Sequence, residues 1–287
     1  MRPVGRELAE RIEGLRQLDS PSKALKSLVD RYVPERSELK DFLCGTWLGH
    51  PLHPVLTDVV VGAWTSSFLL DVIPGRKTRK ASDRLIDIGI LAALPTALSG
   101  LADWTDTLGG RRRVGLVHAG ANVVCLWLYA SSSLARKRGR RLRGWWLSAA
   151  GFGMVNASAY LGGHLSFGKG VGVDETTFEE APTDWQPAIA SEELREGEPT
   201  PTMVGAVEVL LLRQGATIYA LSNRCSHRGC PLHEGDFSRE NRVVCPCHGS
   251  TFNLVDGSVL HGPTTAPQPA YLTRIREGKV EVRLAHP

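Results

Sequence analysis

CSHRGCPL at residues 225–232 and CPCHGSTF at 245–252 decide how this chain is read. Each stretch delivers one cysteine and one histidine, Cys225 with His227 as C-x-H and Cys245 with His248 as C-x-x-H. Two soft thiolates and two imidazoles satisfy a tetrahedral zinc ion. They equally satisfy a two-iron cluster with both cysteines on one iron and both histidines on the other. Zinc asks only for four donors and leaves the loop composition free. Here Gly229 and Gly249 follow the donors, and Pro246 sits between two of them. Glycine lets the backbone turn through positive φ and approach a ligand closely, and proline fixes φ. Both loops are therefore suited to wrapping inorganic sulfide with backbone N–H groups.

On these residues the stretch 184–287 resembles a Rieske [2Fe-2S] domain, CSHRGCPL and CPCHGSTFNLVDGSV matching its two cluster-binding loops. The resemblance implies that Cys225 and Cys245 hold the buried iron and that His227 and His248 hold the iron nearer solvent. It implies a disulfide between Cys230 and Cys247, as in the Rieske proteins of quinol-oxidising complexes; two buried free thiols are the alternative. A bridge there suggests an oxidising compartment. Ser250 matches the family's hydroxyl donor to a cluster sulfide, and GPTTAP at 262–267 resembles its proline-containing covering loop. Phe252 stands where high-potential members carry a tyrosine bonded to a ligand sulfur. Hydrogen bonds to sulfur raise the potential, so the cluster is expected below the most oxidising members, within roughly −150 to +300 mV. Around the loops, alternating runs such as VGAVEVLLLRQG, ATIYALSN and AYLTRIREGKVEVRL, with DG and EG turns, predict a small antiparallel all-β domain. His233, His261 and His286 read as surface residues.

A chain of 287 residues has room for more than one domain. Up to residue 164 it holds 23 Lys and Arg against 14 Asp and Glu, a net of +9; beyond it, 11 against 16 give −5. That shift follows a change of architecture. The expected fold class is multi-domain: an N-terminal all-α four-helix transmembrane bundle and a C-terminal all-β Rieske domain. The boundaries are an amphipathic arm at 1–49, the bundle at 50–164, a linker at 165–183 rich in Gly and acids, and the cluster domain at 184–287. The arm has no uninterrupted apolar core behind Met1, so no secretory signal is expected. ELAERIEGLRQL and KALKSLVDRYV read as two short amphipathic helices for the membrane surface, the cluster domain or solvent.

Four apolar segments, at about 54–73, 85–107, 114–134 and 145–164, each approach the roughly 20 residues that cross a bilayer. A soluble four-helix bundle is the alternative. Ala149, Gly153 and Ala157 recur every four positions, as helix packing within lipid favours, and Trp145 and Trp146 suit an interfacial belt. The segment 45–174, with GHPLHPVLTDVVVGAW and LGGHLSFGKGVGVD, resembles an uncharacterised bacterial family of small four-helix membrane proteins with a G-H-P-x-H-P entrance. Lys169 stands near where its members carry another histidine. The first and third connections, GRKTRKASDR and ARKRGRRLRG, together hold 11 Lys and Arg. The positive-inside rule assigns them to the cytoplasm and puts the Rieske domain on the extracytoplasmic side of a bacterial-type cytoplasmic membrane.

That topology gathers His50, His53, Asp103, Asp106, His118 and His164 at one end of the bundle. Ionisable groups at membrane depth mark functional sites. Haem b held by His53, His118 or His164, a quinone pocket using His and Asp, and plain capping of helix ends are the three readings. Cys44 and Cys125 read as structural.

The leading function is single-electron transfer between a membrane donor and a docked redox partner protein, with lipid as surroundings. A quinol-oxidising subunit with a membrane quinone is the alternative, and a redox sensor a third. An oxygenase carries a further 2-His-1-carboxylate iron site after the cluster; with 39 residues after His248 and the remaining histidines few and scattered, an oxygenase acting alone is not expected. The basic runs fall at membrane loops, so nucleic-acid binding is not expected. His248→Cys is expected to keep a cluster, where one assembles, at a lower potential, because thiolate stabilises oxidised iron better than imidazole. A redox titration checks it, and an unchanged potential would remove His248 from the ligand set.

Overall fold

The computed structural model describes residues 4–239 and 241–285; His286 lies outside them. Two compact units emerge, one formed by the chain up to Pro34 together with Pro51–Val171, the other by Glu35–His50 together with Gly172 onward.

The first unit is helical. Short helices α1 (Val4–Gly14) and α2 (Asp19–Tyr32) lead the chain. The second unit takes α3 (Glu38–Cys44). Long helices then follow in the first unit: α4 (Leu52–Val72), α5 (Arg76–Thr105), α6 (Gly109–Lys137) and α7 (Arg141–Gly163), with a single π turn at His164–Gly168. They cover the four expected segments. Three of them, α4, α5 and α6, are long and apolar enough to cross a membrane. The fourth, α7, has the length, but Gly144, Ser148, Gly151, Gly153, Asn156 and Ser158 dilute its hydropathy.

Burial in this unit is inverted relative to a protein in water. Ser67, Ser82, Ser99, Ser132, Ser148 and Ser158 are buried, whereas Leu91, Leu94, Leu98, Val123 and Trp127 are exposed. Asp71 pairs with Arg136, both side chains 2% exposed, and Arg136 also reaches Asp83 at 2.9 Å and Ser148 at 2.8 Å. Lipid offers no hydrogen bonds, so a bundle immersed in it turns polar groups inward and satisfies them there.

The long helices repeat one hairpin. A shift of 65 residues carries His53, Trp64, Ser67 and Asp71 of α4 onto His118, Tyr129, Ser132 and Arg136 of α6. A shift of 62 carries Gly89, Thr96 and Gly100 of α5 onto Gly151, Ser158 and Gly162 of α7. The contacts repeat too. Trp64 packs on Gly89 as Tyr129 packs on Gly151, and the two rings stack on each other with centroids 4.0 Å apart. The bundle is thus an approximate two-fold repeat.

α1 packs through Ala9 and Ile12 against Val114, Leu161 and Leu165 of the bundle, and Arg113 grips Asp19 through two bonds of 2.7 and 2.9 Å. The leading helices therefore belong with the helical unit, not with the cluster domain that the sequence also allowed.

The second unit is three antiparallel three-stranded sheets. Strand β1 (Gln186–Ala190) pairs with β9 (Lys279–Leu284), which pairs with β8 (Tyr271–Arg276). β2 (Thr200–Val204), β3 (Val207–Gln214) and β4 (Thr217–Ser222) form a meander. β5 (Arg242–Val244), β6 (Thr251–Asn253) and β7 (Val259–His261) form another. One apolar core joins Val209, Leu211, Val280 and Val282, and a second sets Leu210, Leu212, Leu221, Leu232, Phe252 and Leu254 around Cys225 and Cys245.

A methyl group added at Gly89 or Gly151 would strike the Trp64 or Tyr129 ring, whereas Gly62 and Gly153 face open space. Gly89→Ala and Gly151→Ala should each cost about 1–3 kcal/mol, read as a lower melting temperature in detergent. Gly62→Ala and Gly153→Ala should hold or raise it, since alanine favours helix.

Candidate metal centre

The two donor loops are built alike. In the first, which follows β4, Cys225 N–H donates to Cys230 O at 2.9 Å and Gly229 N–H to Cys225 O at 2.7 Å. In the second, between β5 and β6, Cys245 N–H donates to Ser250 O at 2.8 Å and Gly249 N–H to Cys245 O at 3.1 Å. The fifth residue of each loop must take positive φ to close this frame, and Gly229 (69°) and Gly249 (80°) do so. Cys230 and Cys247 are joined by a disulfide that ties one loop to the other.

The frame brings Cys225 and Cys245 together as buried free thiols that hydrogen-bond each other. It also sets the His227 and His248 rings edge to face, centroids 5.0 Å apart. The hydrogen bond from Cys225, opposed by burial and helped by the N–H groups of Cys247 and His248, lowers Cys245. Cys225 is raised by that same pairing and by burial, although the N–H groups of His227 and Arg228 point at its sulfur. Burial, joined by the charges of Arg228, His248 and Lys40, holds His227 well below its ordinary value. Among the described residues no three His, Cys, Asp or Glu side chains converge as a single-ion site. A thiol pair, an imidazole pair and N–H groups aimed at sulfur form the donor set that a two-iron cluster needs.

Further polar residues brace the loops. Ser250 Oγ accepts the Thr264 N–H at 3.2 Å, which leaves its hydroxyl proton to donate. Gln268 accepts the Ser226 N–H at 3.0 Å and donates to Ser222 O and Arg224 O at 2.8 and 2.6 Å. The Ser226 and Thr264 hydroxyls lie 3.0 Å apart. Ser226 and Thr264 lie within the quoted loop stretches but carry no local signal of this role, and Gln268 stands just past the 262–267 loop. Phe252 is fully buried. His233 is half-buried and tied to Asn223, and His261 is exposed beside Asp41.

The polar residues expected at one end of the bundle meet different partners. His53 Nδ1–H donates to Thr96 O at 2.9 Å, and His118 Nδ1–H donates to Ser158 O at 2.9 Å. These two are repeat-related. His164 instead meets Glu13 of α1 at 2.9 Å, with Lys169 on the same carboxylate. Burial pushes Glu13 up, but the hydrogen bonds and charges of His164 and Lys169 outweigh it and hold the carboxyl below its ordinary value. Asp103 and Asp106 close the C-terminal end of α5, Asp106 3% exposed. His50 is exposed and belongs to the second unit.

Residues 184–272 match the Rieske [2Fe-2S] domain model, and residues 49–175 match the family described as Predicted membrane protein (DUF2231). The anthranilate 1,2-dioxygenase ferredoxin subunit of Burkholderia cepacia is 32% identical over 101 residues, 35% of this chain and 93% of its own length. The cytochrome b6-f complex iron-sulfur subunit of Chlorobaculum tepidum is 32% identical over 78 residues, 27% of this chain and 41% of its own length. Among solved structures, the ferredoxin of carbazole 1,9a-dioxygenase from Nocardioides aromaticivorans IC177 is 31% identical, with a TM-score of 0.32 over 34% of this chain and 94% of that one. Through its β unit this chain belongs to the Rieske [2Fe-2S] family, with a DUF2231 membrane domain in the same polypeptide.

Proposed function

We propose that this protein is a membrane-anchored Rieske electron carrier in which Cys225, Cys245, His227 and His248 hold the cluster, and which passes single electrons between a membrane donor and a docked redox partner protein. The observation that carries it is the shared frame of the two loops, which presents paired thiols and paired imidazoles. The cluster, when bound, supplies one-electron chemistry. The chain's own residues do the rest. Backbone N–H groups and the Ser250 hydroxyl are placed to offset negative charge on sulfur, and Leu210, Leu221, Phe252 and Leu254 keep water from the cysteine side.

The helices cross the membrane more than once, with the basic turns after α4 and α6 in the cytoplasm and the Rieske unit outside. Protease added to intact spheroplasts should release that unit; a fully protected unit reverses the orientation.

The repeat favours a second redox group. Carbonyl oxygens only accept, so His53 and His118 each carry their proton on Nδ1, leaving Nε2 an acceptor; that atom of His118 accepts the Asn122 Nδ2–H at 3.1 Å, a bond that an iron ligand there would displace. Imidazoles fixed through Nδ1 are the usual ligands of helical metal sites, and haem b between these two is the reading we favour over a quinone pocket. His164 is engaged by Glu13.

A reduced-minus-oxidised optical spectrum of the full-length protein in detergent, with EPR on the same sample, tests both parts. A Rieske EPR signal with a b-type haem band supports the complete proposal. The EPR signal alone removes the haem, and its absence removes the carrier. Inhibitor-sensitive quinol oxidation by the purified protein would favour a quinol-oxidising subunit.

A further inference from the structure

Residues 35–48 form a strap over the histidine end of the cluster loops. Ser37 caps α3 by accepting the Lys40 N–H at 3.2 Å, and Gly45, at φ 88°, ends it. Asp41 Oδ1 accepts the Gly262 N–H at 3.0 Å while its Oδ2 lies 3.3 Å from His261 Nδ1. Thr46 donates to Thr264 O at 3.3 Å. A side chain at Gly249 would strike Arg36, and one at Gly262 would strike Thr46 and Asp41. The strap is thus seated on the second donor loop and on the proline-containing loop at once, and His227 and His248 are half-buried.

Its burial runs against composition. Leu39, Phe42, Trp47 and Leu48 face outward, while Lys40 is 1% exposed. Lysine is almost never fully buried unless something holds it there. The Lys40 charge acts on His227, as does that of Arg228, and Arg36 lies against Gly249. A buried cation acts on its neighbours far more strongly than a solvated one, because little solvent lies between to screen it.

Resting on the assignment of the cluster to the two donor loops, we propose that the strap, seated on those loops, holds the buried Lys40 ammonium at their histidine end in order to raise the reduction potential. Reduction adds one negative charge to the site, and a fixed cation favours the reduced form. Phe252, fully buried and without a hydroxyl, offers no hydrogen bond to sulfur that would do the same.

The test is an EPR-monitored redox titration of full-length protein in detergent. Lys40→Met should weaken reduction at least tenfold, a potential lower by about 59 mV for one electron. Lys40→Arg should stay near the unmodified protein, and Lys40→Glu should fall below Lys40→Met. The double variant Asp41→Ala, Thr46→Ala keeps the lysine but releases the strap, and should also lower the potential. That variant decides the matter if Lys40→Met assembles no cluster. An unchanged potential in either, with the EPR signal intact, overturns the role of Lys40. An absent Rieske signal in the unmodified protein overturns the cluster assignment instead.

Discussion

Each donor loop bonds its own backbone into a closed turn, cysteine N–H to the carbonyl five residues on and glycine N–H back to the cysteine carbonyl. Everything at the metal centre depends on that frame. It points the N–H groups of the next residues at the cysteine sulfurs, and it needs glycine at 229 and 249 because only there does φ turn positive within the loops. The apolar core reaches the loops at Cys225 and Cys245, and the disulfide, Gln268 and the Ser226–Thr264 contact add covalent and hydrogen-bonded rigidity to it. Closing a loop of 17 residues by a disulfide is worth about 3 kcal/mol in the chain-entropy picture, comparable to several such hydrogen bonds.

The helical unit answers the opposite constraint. Its surface is apolar, so its specificity has to come from inside: the Asp71–Arg136 pair, the buried serines and the ring stack of Trp64 on Tyr129. Removing one partner of such a pair leaves an uncompensated buried charge and costs several kcal/mol. In the two-fold repeat the pair has a simple origin, since Asp71 and Arg136 occupy equivalent positions of the two hairpins. One position has become acidic and its counterpart basic, as contact across an approximate axis demands.

The C-x-H and C-x-x-H stretches, the antiparallel β unit and the helical segments were legible because each rests on local spacing, and the Cys230–Cys247 bridge through the resemblance those stretches carry. The strap was not. Residues 35–50 read as the tail of an amphipathic arm, but the partners of Asp41 and Thr46 lie some 220 residues away, and no local pattern encodes a contact that distant. The repeat also escaped the reading, since it changes residue type at Trp64 and Tyr129 and reverses charge at Asp71 and Arg136, keeping few identities beyond the glycines, the histidines and Ser67 with Ser132. The gathering of six polar residues at one bundle end was argued from topology alone. The structure keeps His53 and His118 related but turns His164 to Glu13, because α1 packs where the sequence placed solvent or lipid.

Net charge would mislead about the cluster's surroundings. The chain beyond residue 164 carries a net −5, and an acidic body by itself would disfavour adding an electron. Most of those carboxylates are solvated, and at physiological ionic strength their fields fade within about 8 Å. Lys40, Arg36 and Arg228 are few but local, and the first is out of water. Two of the three come from before residue 51, in the half of the chain with positive net charge. The charges packed around the donor loops therefore come from the folded arrangement of both halves of the chain, not from the composition of the C-terminal domain alone.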